Sequence, residues 1–143
     1  MKEIIDFGEI GEVQLMRSSL SFVLQQLEGN IRMSKELGGG SLYDLGCYCI
    51  HAIRSIMQRE PTKVYAVGNH HLDYVDLSMV AVMELENGRK TVFDCGMNMS
   101  DLRQSYEVVG SKGKIDVPIA YVPLADRKGF VRVETDHAPK EKR

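Results

Sequence analysis

The sequence predicts an α+β domain: an open, mostly antiparallel β-sheet with one long helix, plus short helices, on one face. Three observations predict it. Residues 41–58 carry apolar side chains with a helical period, and Pro61 follows them. Beyond that proline the apolar period changes to two, which is typical of strands. Asn87-Gly88 and the glycine-bearing segment 110–113 separate alternating runs, as the short turns between antiparallel strands do.

Seven segments have the composition of strands, rich in β-branched or alternating apolar residues. They are residues 13–22, 64–68, 76–84, 89–98, 106–109, 114–117 and 131–135. Residues 24–37 are predicted to form a polar loop or a short helical segment, and the charged residues 137–143 a frayed tail. One helix can cover only one face of such a sheet, so the other face is available for dimerisation.

Length and composition are those of a single globular domain over residues 1–143, with 43% hydrophobic and 27% charged residues. The net charge of −2 provides no basic surface for nucleic acid. No apolar run is long enough to cross a bilayer, and the first nine residues contain no signal core. We therefore predict a cytoplasmic protein without nucleic-acid or membrane partners.

The cysteines and the histidine pair do not predict a metal site. Cys47, Cys49 and Cys95 are odd in number and complete no zinc spacing, so we expect small apolar packers in a reducing compartment. His70 and His71 are adjacent in a predicted extended segment and point to opposite faces, so they cannot chelate one ion together. Both are expected to be exposed to solvent.

The predicted helix has a polar face that is nearly uncharged. Asp44 and Tyr48 lie one turn apart on this face, and His51 and Ser55 continue it. A helix that faces bulk solvent would use Lys and Glu there, so this face is better suited to line a cleft. The opposite, apolar face is expected to pack on the sheet and comprises Leu45, Cys49, Ala52, Ile53, Ile56 and Met57.

The polar residues around this helix also have structural explanations. Asp44 can be an acid stabilised by the helix dipole, and Tyr48 a half-buried aromatic residue with a hydrated hydroxyl. Asn30 and Arg32 precede the helix and can reach a substrate or a cofactor phosphate, or belong to a solvated loop. His51 lies one turn deeper than Tyr48 and is expected to support the site without touching the substrate.

The segment GGGSLYDLGCY, residues 38–48, resembles the second-domain signature of the Gfo/Idh/MocA oxidoreductases, often written GGGxLxDxGxY/H. Further segments resemble that domain in the same order, namely residues 10–13, 30–32, 36–40, 93–95 and 106–115. The resemblance is strongest to the branch of glucose–fructose oxidoreductase and the dimeric dihydrodiol and xylose dehydrogenases.

This resemblance implies the substrate-binding and oligomerisation domain of an NAD(P)-dependent oxidoreductase. Such an enzyme transfers hydride between the nicotinamide cofactor and a sugar, polyol or dihydrodiol hydroxyl. It implies catalytic roles for Tyr48, at the family's acid/base position, and for Asp44, at its signature aspartate. Homo-oligomers would form through the sheet face, since the predicted strands in 76–98 carry apolar residues at both parities.

Family members also have an N-terminal Rossmann domain, with a glycine-rich phosphate loop and a Glu-Lys-Pro motif whose lysine would assist the tyrosine. This sequence contains neither motif. We therefore expect the C-terminal domain of a longer two-domain enzyme, which alone is inactive and binds neither NAD nor NADP. The alternative is a stand-alone, non-enzymatic module that binds a small ligand or a partner.

Overall fold

The computed structural model describes residues 1–72 and 75–136. Its helical elements are α1 (Lys2–Asp6), a 3-10 turn (Ile31–Met33), a π-helical turn (Leu42–Gly46) and α2 (Cys47–Met57), which continues directly from that π turn. Its strands are β1 (Val13–Val23), β2 (Pro61–His70), β3 (Asp76–Leu85), β4 (Lys90–Gly96), β5 (Asn98–Gly110), β6 (Gly113–Val117) and β7 (Arg132–Thr135).

All seven strands form one sheet in the order β2-β3-β4-β1-β5-β6-β7. β1 pairs with β4 in parallel, and every other neighbouring pair is antiparallel. The predicted α+β architecture with a mostly antiparallel sheet is thus confirmed. The parallel pair arises because the chain crosses over from β1 through the helix before it returns as the β2-β3-β4 meander.

The helix packs on the central strands through its apolar face. Cys49 and Ile53 are fully buried, and Leu45 and Met57 nearly so, whereas Tyr48 lies on the exposed side. Complete burial of a side chain such as isoleucine stabilises the fold by about 1.5–3 kcal/mol. The facing core is supplied by alternate residues of the strands, among them Met16, Leu20, Ala81, Met83, Phe93, Cys95 and Val108.

Two elements differ from the sequence prediction. α1 was not predicted, because its five residues contain too little pattern to indicate a helix. β5 begins at Asn98, eight residues before the predicted strand, and therefore includes Arg103. The early half of β5 is polar because it faces polar residues of β1, with Arg103 donating to Ser21 at 3.2 Å. The predicted tail 137–143 lies outside the described residues.

The sheet face opposite the helix is open and apolar at the β2 end. Tyr65 pairs with Val82 and Val67 with Val80, and all four side chains are between 46% and 75% exposed. Over residues 1–72 and 75–136, no helix is long and apolar enough to cross a membrane.

Candidate active site

The helix that carries the candidate residues begins in a turn that the glycines permit. Gly40 has φ +107°, a conformation that disfavours any side chain, and a Cβ there would collide with the Asp76 carboxylate. A Cβ on Gly39 would collide with the carbonyl oxygen of Arg32. The glycine run therefore lets the 3-10 turn and β3 approach the start of the helix closely.

The first helical turn, Leu42–Gly46, is π-helical. Turns of this kind are rare and occur frequently at functional sites. Asp44 lies within it and donates its backbone N–H to the carbonyl of Gly40 at 3.1 Å. The local backbone around the signature carboxylate is thus wider than the regular α-helix that the sequence period predicted.

Asp44 and Arg32 form an ion pair. The Nε–H of Arg32 donates to Oδ2 of Asp44 at 2.8 Å, with 40% and 29% of the two side chains exposed. The guanidinium also lies over the ring of Phe22, 5.9 Å from its centroid. Asn30 holds the 3-10 turn by accepting from the Arg32 backbone N–H at 3.0 Å. Asn30 therefore stabilises the 3-10 turn, and Arg32 orients the carboxylate of Asp44.

Tyr48 is 54% exposed and lies against a second tyrosine that the sequence did not assign. The ring centroids of Tyr48 and Tyr121 are 6.2 Å apart, with the planes tilted by 59°, and Tyr121 contacts Tyr106 at the same centroid distance. The Tyr121 hydroxyl is hydrogen-bonded to the hydroxyl of buried Ser18. The phenol of Tyr48 is therefore accessible to a ligand, while its ring packs against Tyr121, which in turn contacts Tyr106.

The side chain of Gln104 holds the backbone of the segment that carries Tyr121. This side chain is 6% exposed, and its amide oxygen accepts from the backbone N–H groups of Tyr121 at 3.0 Å and Val122 at 2.6 Å. Its amide group donates to the carbonyl of Val122 at 2.9 Å. Sequence reasoning missed this residue because a glutamine in a polar segment gives no signal of burial.

Burial shifts the acid–base equilibria behind the candidate residues. It raises the pKa of Cys49 and of Cys95 to about 11, and it raises the pKa values of Tyr106 and Tyr121 as well. For Tyr121 the Ser18 hydrogen bond opposes the larger effect of burial. Burial therefore strengthens the preference of these thiols and phenols for their neutral forms.

Asp44 and Tyr48 are on the solvent side of the helix, but the hydrogen bonds of the described residues do not join them. Asp44 lines a groove of about 170 Å³ together with Arg32 and Tyr43. A larger groove of about 640 Å³ lies beside the 3-10 turn, and its lining includes Asn30 but neither Asp44 nor Tyr48.

The histidines and cysteines agree only partly with their predictions. His51 is exposed, as is Cys47, whereas Cys49 and Cys95 are buried, and all three thiols are free. His70 is exposed, as expected, whereas His71 is only partly exposed: it lines the larger groove, and its Nδ1 is buried. The described residues contain no group of three or more potential metal ligands.

The mixed sheet with one covering helix and the glycine-rich start of that helix agree with the resemblance to the C-terminal domain of the GFO/IDH/MocA oxidoreductases. The family's sequence profile, described as the GFO/IDH/MocA C-terminal domain, matches residues 1–116, and the chain belongs to this family.

Two proteins that are similar to this chain in sequence are oxidoreductases. The chain is 32% identical over 137 residues to the dTDP-3,4-didehydro-2,6-dideoxy-alpha-D-glucose 3-reductase of Saccharopolyspora spinosa, covering 94% of this chain and 40% of that protein. It is also 32% identical over 119 residues to the trans-1,2-dihydrobenzene-1,2-diol dehydrogenase of Xenopus tropicalis, covering 82% and 35%. The chain thus spans well under half the length of these relatives.

A similar solved structure is that of a tyrosine-to-phenylalanine variant of KijD10, a 3-ketoreductase from Actinomadura kijaniata, in complex with TDP-benzene and NADP. The TM-score is 0.85 at 25% identity, covering 96% of this chain and 42% of that one. The aldose-aldose oxidoreductase of Caulobacter crescentus, complexed with glycerol, has the same fold at 21% identity and a TM-score of 0.82, covering 94% and 40%.

Proposed function

We propose that this chain is the substrate-side domain of an NAD(P)-dependent oxidoreductase that acts on a sugar, polyol or dihydrodiol hydroxyl, or on the corresponding carbonyl. The observation that carries the proposal is the exposed Tyr48 phenol, one turn from the Arg32–Asp44 ion pair, in a chain of this family. The names of the relatives, a sugar reductase and a dihydrodiol dehydrogenase, support this class of substrate.

Tyr48 is proposed to exchange a proton with the substrate oxygen. A phenol has an ordinary pKa near 10, so it needs a nearby cation to act as a base close to neutrality. The proposed source of that cation is a lysine of a separate cofactor domain. Asp44, held by Arg32, would accept a hydrogen bond from a neighbouring substrate hydroxyl and orient the substrate toward Tyr48.

The described residues do not themselves fit a dinucleotide. They contain no strand–glycine loop–helix unit built on neighbouring parallel strands, since β1 and β4 are the single parallel pair in the described sheet. When bound elsewhere in the whole enzyme, NAD or NADP would supply the hydride chemistry. This chain is proposed to supply the substrate-binding face and the proton.

The test is Tyr48→Phe in the full-length enzyme, with Tyr65→Phe as a matched control. Tyr65 lies on β2, outside the helix and its groove, and is 75% exposed. We expect Tyr48→Phe to lower kcat by about a hundredfold to ten-thousandfold while cofactor binding is unchanged, since positioned proton transfer typically contributes that much. The control should retain the wild-type rate. A wild-type rate in Tyr48→Phe would mean that the tyrosine is structural.

The 143-residue chain alone should reduce neither NAD nor NADP with a panel of sugars. Formation of reduced cofactor, followed by absorbance, would contradict the proposed division between the two domains. The non-enzymatic alternative instead predicts that Tyr48→Phe changes no turnover in any longer protein that contains this chain. We also propose a cytoplasmic location, which the three free cysteines support.

We further propose that two copies associate through the open sheet face. Tyr65, Val67, Val80 and Val82 form a continuous exposed apolar patch across β2 and β3. Val82→Lys should convert the dimer into a monomer in sedimentation equilibrium at micromolar concentration. The control is Val64→Lys, which places the same charge on β2 but on the opposite sheet face. A wild-type chain that sediments as a monomer would refute the proposal.

A further inference from the structure

Asp76, the first residue of β3, caps the helix that carries the candidate site. Its Oδ2 accepts from the backbone N–H of Leu42 at 2.7 Å and from the hydroxyl of Ser41, which is completely buried. Neither Ser41 nor any residue before it supplies a side-chain cap from within the helical segment. The cap is therefore delivered from a strand 34 residues further along the chain.

The Asp76 carboxylate fits a space that glycine leaves open. Oδ1 lies against Gly40, where a Cβ would collide with it, and Gly40 adopts a positive φ that favours glycine. Gly40 in turn donates its N–H to the Arg32 carbonyl at 2.8 Å and accepts from the Asp44 N–H at 3.1 Å. The Asp76 carboxylate thus packs against Gly40, whose backbone is hydrogen-bonded to both members of the Arg32–Asp44 ion pair.

This cap also determines where the π turn begins. The N–H groups at a helix N-terminus have no partner within the helix, and a negative charge there is favoured by the helix dipole. By engaging Leu42, the first residue of the π turn, Asp76 fixes its register against the sheet. Without an acceptor, the first turn is free to rewind or fray, and Asp44 would move relative to Arg32.

We propose that Asp76 is a positioning residue: through Leu42 and Gly40 it holds the first turn of the helix, and thereby sets Asp44 against Arg32. Asp76 lies outside the helix face that carries Asp44 and Tyr48. That its effect on Asp44 matters for catalysis rests on the proposed function. The test of Asp76 needs neither cofactor nor turnover. The positioning role can therefore be refuted while the oxidoreductase proposal stands, and the oxidoreductase proposal can be refuted while the positioning role stands.

The experiment is nuclear magnetic resonance of the 143-residue chain, with two readouts. The first is hydrogen exchange of the Leu42 amide, and the second is the Arg32 Nε–H signal, which the Asp44 carboxylate should shift and protect. In Asp76→Ala we expect Leu42 exchange to accelerate by about tenfold, as for loss of an N-cap, and the protected Arg32 signal to be lost. Asp76→Asn retains an acceptor oxygen and should keep both.

The matched control is Asp116→Ala, which removes a strand carboxylate that is paired with Lys114 on the open sheet face. It should leave both readouts at their wild-type values, even if it lowers the melting temperature. Unchanged Leu42 exchange and Arg32 signal in folded Asp76→Ala would overturn the proposal. Should that variant not fold, the wild-type chain decides: a Leu42 amide protected from exchange supports the proposal, and one that exchanges like an exposed, unbonded N–H overturns it.

Discussion

Replacing Gln104 by methionine is expected to destabilise the protein and release the loop that carries Tyr121. The substitution keeps the length of the side chain but removes three hydrogen bonds, at 2.6, 2.9 and 3.0 Å, from a residue that is 6% exposed. Each such bond contributes about 0.5–1.5 kcal/mol net, so the upper limit for the three is about 4.5 kcal/mol.

The loop is partly exposed, with Val122 at 43%, so water can replace some of the lost partners. We therefore expect a decrease of about 2 kcal/mol in the free energy of unfolding, or about 6–10 °C in melting temperature for a domain of this size. Urea unfolding followed by circular dichroism measures the first quantity, and a thermal melt the second.

A local readout accompanies the global one. Burial raises the pKa of Tyr121, so a loop released to solvent should return that pKa toward its ordinary value near 10 in an ultraviolet titration. The control is Gln14→Met, since Gln14 is an exposed glutamine on β1. The reasoning is refuted if Gln104→Met unfolds within about 0.5 kcal/mol of that control.

Two further outcomes follow from burial and from close packing. The thiols of Cys49 and Cys95 have folded pKa values near 11, above the unfolded value, so stability is fully present below about pH 9 and declines toward pH 11. Between about pH 9 and pH 10, below the range in which the buried phenols contribute, the slope should approach about 1.4 kcal/mol per thiol per pH unit in urea unfolding, be reduced by about half in Cys95→Ala and be unchanged in Cys47→Ala. Gly39→Ala should cost about 1–3 kcal/mol in the same assay, because its methyl group would collide with the preceding 3-10 turn. Gly129→Ala, which meets open space, should cost less than about 0.5 kcal/mol, and equal costs for the two variants would contradict the packing argument.

The sequence indicated those parts of the fold in which periodicity and turn chemistry agree. The helix, its buried face and the turn at Asn87-Gly88 follow from apolar spacing and from glycine, and the structure places them as expected. The π turn could not be predicted, because its hydrogen bonds depend on a partner, Asp76, that is distant in sequence.

The candidate site was predictable only where helical periodicity brings its residues together. Tyr48 and Asp44 stand out because a helix brings residues four apart onto one face. Tyr121 lies in an irregular segment whose position is set by a buried amide 17 residues earlier. Nothing in the local pattern reveals that contact, and only the strand register supplies it.

The position of β1 in the middle of the sheet has a consequence for how the chain folds. β1 is the first of the seven described strands along the chain, yet both of its neighbours come much later: Ser19 pairs with Asp94 of β4, and Ser18 with Tyr106 of β5. The β2-β3-β4 meander is made of local contacts and can form by itself, whereas β1 has to await it. We expect folding of this domain to be limited by capture of β1 between β4 and β5, with its apolar residues exposed to chaperones until β5 has emerged from the ribosome.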